Sequence, residues 1–145
     1  MKNELTIFYT DDDADDLDFF VEATHSLGQN LNIVTQDSGN KLLDDLKNPP
    51  PNPHVIFLDL NMPGINGFDV LKILRNTDNF KKVPVIVFST SRDESIINKS
   101  RELGANYYIS KPTDFSVLKK TIEHALTINW STFIPNIDNF VYNYT

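Results

Sequence analysis

Cysteine is absent from this chain of 145 residues. That removes a disulfide framework, thiolate chemistry and cysteine-ligated zinc together, and it fits a reducing compartment. Basic side chains are few: 13 Lys and Arg stand against 20 Asp and Glu, for a net charge of −7. This balance argues against nucleic acid as a partner, because non-specific binding to phosphates needs clustered cations. No basic, helix-turn-helix-like segment follows residue 128 either. Long apolar runs are missing too, and none approaches the ~18 residues that a membrane span requires. Met1-Lys2-Asn3-Glu4 leads straight into a strand-like run, without the apolar stretch of a signal peptide. There is no internal repeat and no low-complexity tract. With 40% hydrophobic and 23% charged residues, a chain of this length buries roughly two-thirds of its unfolded surface on folding. The expectation is one soluble, cytoplasmic domain with no membrane and no nucleic-acid partner.

What is present is order. Val55-Ile56-Phe57-Leu58 and Val85-Ile86-Val87-Phe88 are continuous apolar runs too short for helices. Runs without polar alternation belong to strands covered on both faces, as in a parallel sheet. Residues 5–9 (LTIFY) are nearly as apolar; residues 31–35 (LNIVT) and 107–109 (YYI) are more mixed, as suits strands nearer the edges. Helical patterns fall between them. Leu17, Phe20, Val21 and Thr24 mark one face of residues 14–27, then Leu42, Leu43 and Leu46, then Phe68, Leu71, Leu74 and Arg75. Ser91 with Glu94 reads as a capping box opening a fourth helix that stops at Gly104. Phe115, Leu118, Ile122, Ala125 and Leu126 stripe the last, with Thr113 as its N-cap. Strand then helix, five times over, predicts an α/β fold with right-handed crossovers. With the most apolar strands central, the sheet order is 2-1-3-4-5: a flavodoxin-like (βα)5 three-layer sandwich. Its ligand site lies beyond the carboxyl ends of strands 1 and 3, where the winding reverses. The prolines of residues 49–53 read as a stiff loop rather than a domain linker.

Chemistry gathers at those carboxyl ends. Strand 1 runs into Asp11-Asp12-Asp13-Ala14-Asp15-Asp16-Leu17-Asp18, six of the 20 acids in eight residues. Asp13 as N-cap and Asp15 and Asp16 in the first turn are explained by the helix dipole. Asp11 and Asp12 are not, since they precede the cap. Strand 3 ends in Asp59, followed by Leu60-Asn61-Met62-Pro63-Gly64. Two unit charges ~4 Å apart repel by ~4 kcal/mol at an effective dielectric near 20, so three carboxylates sharing a cleft need protons or a cation. Oxygen ligands suit Mg²⁺, or Mn²⁺. Strand 4 ends in Ser89-Thr90-Ser91 and strand 5 in Ser110-Lys111-Pro112, which bring a hydroxyl and an ammonium to the same rim. Such a site is equipped to receive a phosphoryl group.

The set Asp11-Asp12, Asp59 with Asn61-Met62-Pro63-Gly64, Ser89-Thr90 and Lys111-Pro112 resembles the receiver domain of two-component response regulators, the CheY-like family. The resemblance covers about residues 4–128 in order and spacing. It implies that Asp59 is the phospho-acceptor for a sensor histidine kinase or a phosphotransfer protein. It also implies that Mg²⁺ is held by Asp12, Asp59 and the Asn61 backbone carbonyl, with Asp11 acting mostly through a water. Lys111 would pair with Asp59 and then with the phosphoryl group, and the Lys111–Pro112 bond would be cis. Ser89 would bond the phosphoryl group while Tyr108 turns inward as the switch. Ser89 stands where threonine is common in the family, so the hydroxyl is kept and a gating methyl is lost. From residue type alone, Tyr107 and Tyr108 are one ring in and one out on an edge strand. The readout face would be helix 4, strand 5 and helix 5, passing the signal to a protein target. The chain would act as a phospho-acceptor that catalyses its own phosphorylation and dephosphorylation, not as an enzyme acting on other molecules.

Other readings compete for these acids. Asp11, Asp13 and Asp15 with Glu22 are spaced like an EF-hand loop, but Asp16 stands where the turn needs glycine. Phe8-Tyr9-Thr10-Asp11-Asp12-Asp13 is similar to the start of haloacid-dehalogenase-type phosphatases, with Asp11 as nucleophile and Asp13 as acid/base; that reading leaves Asp59 idle. A third reading is a degenerate, unphosphorylated receiver that serves as a binding module. His25, His54 and His124 lack partners at metal or triad spacing. The boundary falls near residue 129: residues 1–129 form the domain, and residues 130–145 an extension carrying Trp130, Phe133, Phe140, Tyr142 and Tyr144, five of the chain's 16 aromatics. It either packs on helix 5 or the sheet edge, or forms an interface. Trp130 with Ile134-Pro135 resembles stand-alone regulators of the phytochrome-associated kind, for which a homodimer through the tail is the expectation.

Overall fold

The computed structural model describes residues 4–142, so Tyr144 and residues 1–3 lie outside it. Five strands, β1 (Leu5–Thr10), β2 (Leu31–Gln36), β3 (Val55–Leu58), β4 (Val85–Ser89) and β5 (Tyr107–Ser110), alternate with five helices, α1 (Ala14–His25), α2 (Gly39–Lys47), α3 (Gly67–Arg75), α4 (Glu94–Glu102) and α5 (Phe115–Thr127). The sheet is parallel throughout, in the order β2-β1-β3-β4-β5. This is the expected flavodoxin-like order.

The apolar strands β3 and β4 are buried at every residue because helices cover both faces. On one face Ile7, Tyr9, Phe57, Ile86, Phe88, Tyr107 and Ile109 meet Phe20 and Ala23 of α1 and Leu118, Ile122 and Ala125 of α5. On the other, Phe8, Ile56, Leu58, Val85, Val87 and Tyr108 meet Leu42 and Leu46 of α2, Val70, Leu71 and Leu74 of α3, and Ile96 and Ile97 of α4. Neighbouring residues on each strand alternate between the two cores, as the pleat requires.

The first helix is capped as the sequence implies: Asp13 accepts from the amides of Asp15 and Asp16. That helix also disposes of the EF-hand reading, since residues 14–25 are helical and no loop remains to wrap an ion. Two caps differ from expectation. The fourth helix is capped by Asp93, whose Oδ1 accepts from Ser95 N at 2.9 Å, not by a Ser91–Glu94 box. The last is capped by Asp114, which accepts from Val117 N at 3.1 Å, not by Thr113. In both places a carboxylate lies closer to the helix start than the hydroxyl, and a charged acceptor gains more from the dipole.

Expected as one in and one out, Tyr107 and Tyr108 are in fact both buried, in opposite cores. The cause is the tail. Residues 139–142 return alongside β5: Tyr108 N donates to Phe140 O and Tyr142 N to Tyr108 O, each at 2.9 Å, a parallel bridge between Tyr108 and Val141. Phe140 is fully buried beside Tyr108. Trp130, Phe133 and Tyr142 ring Tyr107 on the other face. An edge strand left open by the five-stranded order is thus covered by the chain itself. Outward from this cover point Ile134 and Ile137, each more than three-quarters exposed.

Candidate functional site at the carboxyl ends of the strands

Asp11 follows β1 and Asp59 follows β3, and the ladder holds the two ends side by side: Asp59 N donates to Thr10 O, and Asp11 N to Gln36 O, both at 3.0 Å. The register therefore dictates that two buried carboxylates face one another, Asp11 0% and Asp59 4% exposed. Asp12 joins them from the exposed rim, and carboxylate oxygens of Asp11, Asp12 and Asp59 all lie within 4.8 Å of one another. From the far side of the sheet, Lys111 N donates to Ser89 O at 2.8 Å, which sets the end of β5 level with that of β4. The Lys111 ammonium then crosses the cleft, 2.6 Å from Asp11 Oδ2, 2.9 Å from Asp16 Oδ2 and 3.6 Å from Asp59 Oδ1.

Each group responds to this crowding. Burial pushes the Asp59 carboxyl up to about 6; the charges of Asp11 and Asp12 add to the rise, while Lys111 and the Asn61 amide oppose it. Burial works against the Lys111 ammonium, but hydrogen bonds to Asp11 and Asp16 and the charge of Asp59 hold it well above an ordinary lysine. Tyr9 is raised as well, by burial and then by Asp11, to which its hydroxyl donates. Asp11 is the most heavily engaged acid: Oδ1 accepts from Asp13 N at 3.0 Å, and Oδ2 from both Tyr9 and Lys111. A carboxylate tied at both oxygens is a poor nucleophile, which weighs against Asp11 as the attacking group of a phosphatase. Asp59 is less tightly held: Lys111 makes a long contact to its Oδ1, and the Asn61 amide also hydrogen-bonds the carboxylate.

Ser89 is fully buried at the end of β4, and its Oγ accepts from Ser91 N at 3.3 Å. Tyr108, three residues before Lys111, has its ring inside already, with the hydroxyl donating to Ser91 O at 2.8 Å. Asn61 is exposed on the loop after β3. One expectation fails: the cis bonds are Pro49–Pro50 and Pro50–Pro51, and Lys111–Pro112 is trans. Trans is the intrinsically favoured isomer before proline, and in that isomer Lys111 already reaches all three acids.

Three contributors escaped the sequence reading. By sequence Tyr9 reads as strand core alone, and Asp16 as a residue placed for the helix dipole alone. Gly67 opens α3 directly beneath the acceptor: a Cβ there would lie 2.6 Å from Asp59 O and 2.8 Å from Leu60 Cα. Its signal was a glycine at the first turn of a helix, where a glycine has no conformational purpose and so implies close packing. The histidines hold no metal cluster among the described residues; His54 Nδ1 accepts from Thr6 N, and His124 meets Tyr107 OH.

A doubly wound parallel sheet whose carboxyl edge carries an acidic, lysine-bridged cleft at the reversal of winding defines a narrow class of α/β domains. The chain belongs to the response regulator receiver domain family, whose model matches residues 7–123. Among curated proteins it is similar to chemotaxis protein CheY1 of Helicobacter pylori, 36% identical over 75 residues, covering 52% of this chain and 60% of that protein. It is also similar to response regulator Rcp1 of Synechocystis, 36% identical over 73 residues, covering half of each. The chain thus spans between about a fifth and three-fifths of the curated relatives it first matches. Among solved structures, the phosphorylated cyanobacterial phytochrome response regulator RcpA superposes with a TM-score of 0.77 at 28% identity, over 92% of this chain and 98% of that one. The Mn(2+)-bound form of Rcp1 superposes with a TM-score of 0.75 at 24% identity, over 91% and 99%; at that identity it supports the fold. These neighbours bear out the expected likeness to phytochrome-associated regulators. No helix among the described residues is long and apolar enough to cross a membrane.

Proposed function

We propose that this chain is a response regulator that accepts a phosphoryl group on Asp59 from a phosphohistidine and passes the signal on by protein contact. The observation carrying this reading is the convergence of Asp11, Asp12 and Asp59 within 4.8 Å under an ammonium that touches both Asp11 and Asp59. A carboxylate oxygen of Asp59 attacks phosphorus, the bond from phosphorus to the imidazole nitrogen breaks, and the electron pair leaves with that nitrogen. The product is an acyl phosphate, later hydrolysed. Small phosphodonors serve the same chemistry, because the groups that polarise the phosphoryl oxygens belong to this chain.

Mg²⁺, with Mn²⁺ as a substitute, fits the donor set: three oxygen donors of one sign sit close enough to share an ion, and Asp59 is unsettled as a lone anion. Asp12, Asp59 and the Asn61 carbonyl would hold it, with Asp11 behind. When bound, the ion neutralises the cleft and the charge on the transferring oxygens. Lys111 supplies the second positive charge to a phosphoryl oxygen, and Ser89 a hydrogen bond. Tyr108 reports the change through its bond to Ser91 O, two residues past Ser89.

The partners under this reading are a histidine kinase or phosphotransfer protein in the cytoplasm and a target at the face of α4, β5 and α5, where the tail now lies. Ile134 and Ile137 support a homodimer through the tail; Ile134→Asp with Ile137→Asp should then leave a monomer by light scattering. The reading is tested with acetyl phosphate and Mg²⁺. The intact mass should rise by one phosphoryl group in the natural chain and stay unchanged in Asp59→Asn. Labelling that survives in Asp59→Asn, or moves to Asp11, overturns it.

A further inference from the structure

Asp16 has a place in the cleft that neither the helix dipole nor the transfer chemistry requires. It lies in the first turn of α1, and its Oδ2 takes a hydrogen bond from Lys111 Nζ at 2.9 Å. The same ammonium gives 2.6 Å to Asp11 and stands 3.6 Å from Asp59. An ammonium has three N–H donors. Two are committed at hydrogen-bond length to Asp11 and Asp16, while the contact to Asp59 exceeds that length. We propose that Asp16 is a positioning residue that draws Lys111 to the Asp11 side of the cleft, so that an incoming phosphoryl group must win the ammonium from it.

The inference rests on the reading of Asp59 as acceptor. Two effects act in the same direction. Asp16 competes as a charge-assisted acceptor for the lysine, and its own charge repels an anionic donor from a cleft that already holds three carboxylates. Asp11 cannot have the competing role, because its oxygens are also engaged by Tyr9 and the Asp13 amide and it is fully buried. Asp16, by contrast, is 39% exposed at its side chain and borders an open pocket with Phe19, Thr90 and Lys111. Replacing it therefore calls for no repacking of the core.

The test uses the full chain, saturating Mg²⁺ and beryllium fluoride as the phosphoryl mimic, titrated by calorimetry. Asp16→Asn should bind the mimic about five- to tenfold more tightly, the range of one charge-assisted hydrogen bond released at a partly exposed site. Asp16→Glu keeps the charge and should stay within about twofold of the natural chain. A merely structural role would lower the melting temperature of Asp16→Asn without tightening the mimic. Unchanged or weaker binding in Asp16→Asn, with binding lost in Asp59→Asn, overturns the inference alone. Binding that persists in Asp59→Asn overturns the acceptor reading and the inference with it.

Discussion

The carbonyl of Phe140 accepts the amide of Tyr108 at 2.9 Å, and the carbonyl of Tyr108 accepts the amide of Tyr142 at the same distance. The residue whose hydroxyl reaches the loop after β4 is therefore clasped by the tail on both sides of its own peptide. Phe140→Ala should cost roughly 3–5 kcal/mol in urea unfolding, since it empties a fully buried aromatic site. Val141→Ala, on the outer side and 40% exposed, should cost under about 1 kcal/mol. If both cost equally little, the tail does not dock as described.

The same clasp provides a reporter. If Tyr108 shifts on phosphorylation as proposed, hydrogen exchange at the Tyr142 amide should change by at least about threefold when beryllium fluoride and Mg²⁺ are added, because that amide donates directly to Tyr108 O. Exchange at β3 amides, fully buried in the sheet, should not respond. An identical Tyr142 rate in both states removes Tyr108 from the signal path.

Burial pushes the Asp59 carboxyl up to about 6 in the folded protein, whereas an unfolded aspartate titrates at about 3.9. The folded state thus binds this proton more tightly. Its anion lowers stability above pH 6, and the penalty fades as the pH falls towards 4. In metal-free buffer Asp59→Asn should be more stable than the natural chain at pH 7.5. The advantage should shrink by on the order of 2–3 kcal/mol by pH 4. Urea denaturation at several pH values measures it, and an advantage that grows as the solution is acidified contradicts the assignment.

Gly67→Ala places a methyl against two backbone positions of the acceptor segment, and neither can swing away as a side-chain end could. A stability loss of about 1–3 kcal/mol is expected, together with slower labelling by acetyl phosphate because Asp59 is displaced. Slower labelling with no stability loss would point to the cleft rather than to packing.

For the ion, Asp12→Ala should weaken Mg²⁺ binding by more than about tenfold, as loss of one of three charged oxygen donors implies. Asp13→Ala should cost about 1 kcal/mol of stability through the lost N-cap and leave Mg²⁺ affinity within about threefold. Equal losses from both would mean that the cleft responds only to net charge.

Much was legible before any coordinates. The unbroken apolar runs at β3 and β4 required cover on both faces, and covered parallel strands joined by helices admit few winding orders. Asp11, Asp12, Asp59, Ser89 and Lys111 are legible because each stands at the carboxyl end of a strand or within two residues past it, where the pleat and the reversal of winding leave a side chain little choice of direction. The cap positions at Asp93 and Asp114 were not legible, because several capping residues follow one another there and local sequence does not rank them.

The sequence by itself determined the layers, the strand order and the edge at which the acids assemble, since hydrophobic period and strand–helix alternation are local properties of the chain. Only the tertiary structure decided which acid Lys111 binds most closely, that Tyr9 donates to Asp11, that Gly67 lies against the backbone of Asp59, and that Phe140 closes the β5 edge over Tyr108. Those are choices among partners far apart in the chain, made by distances of a few ångströms that no local pattern encodes.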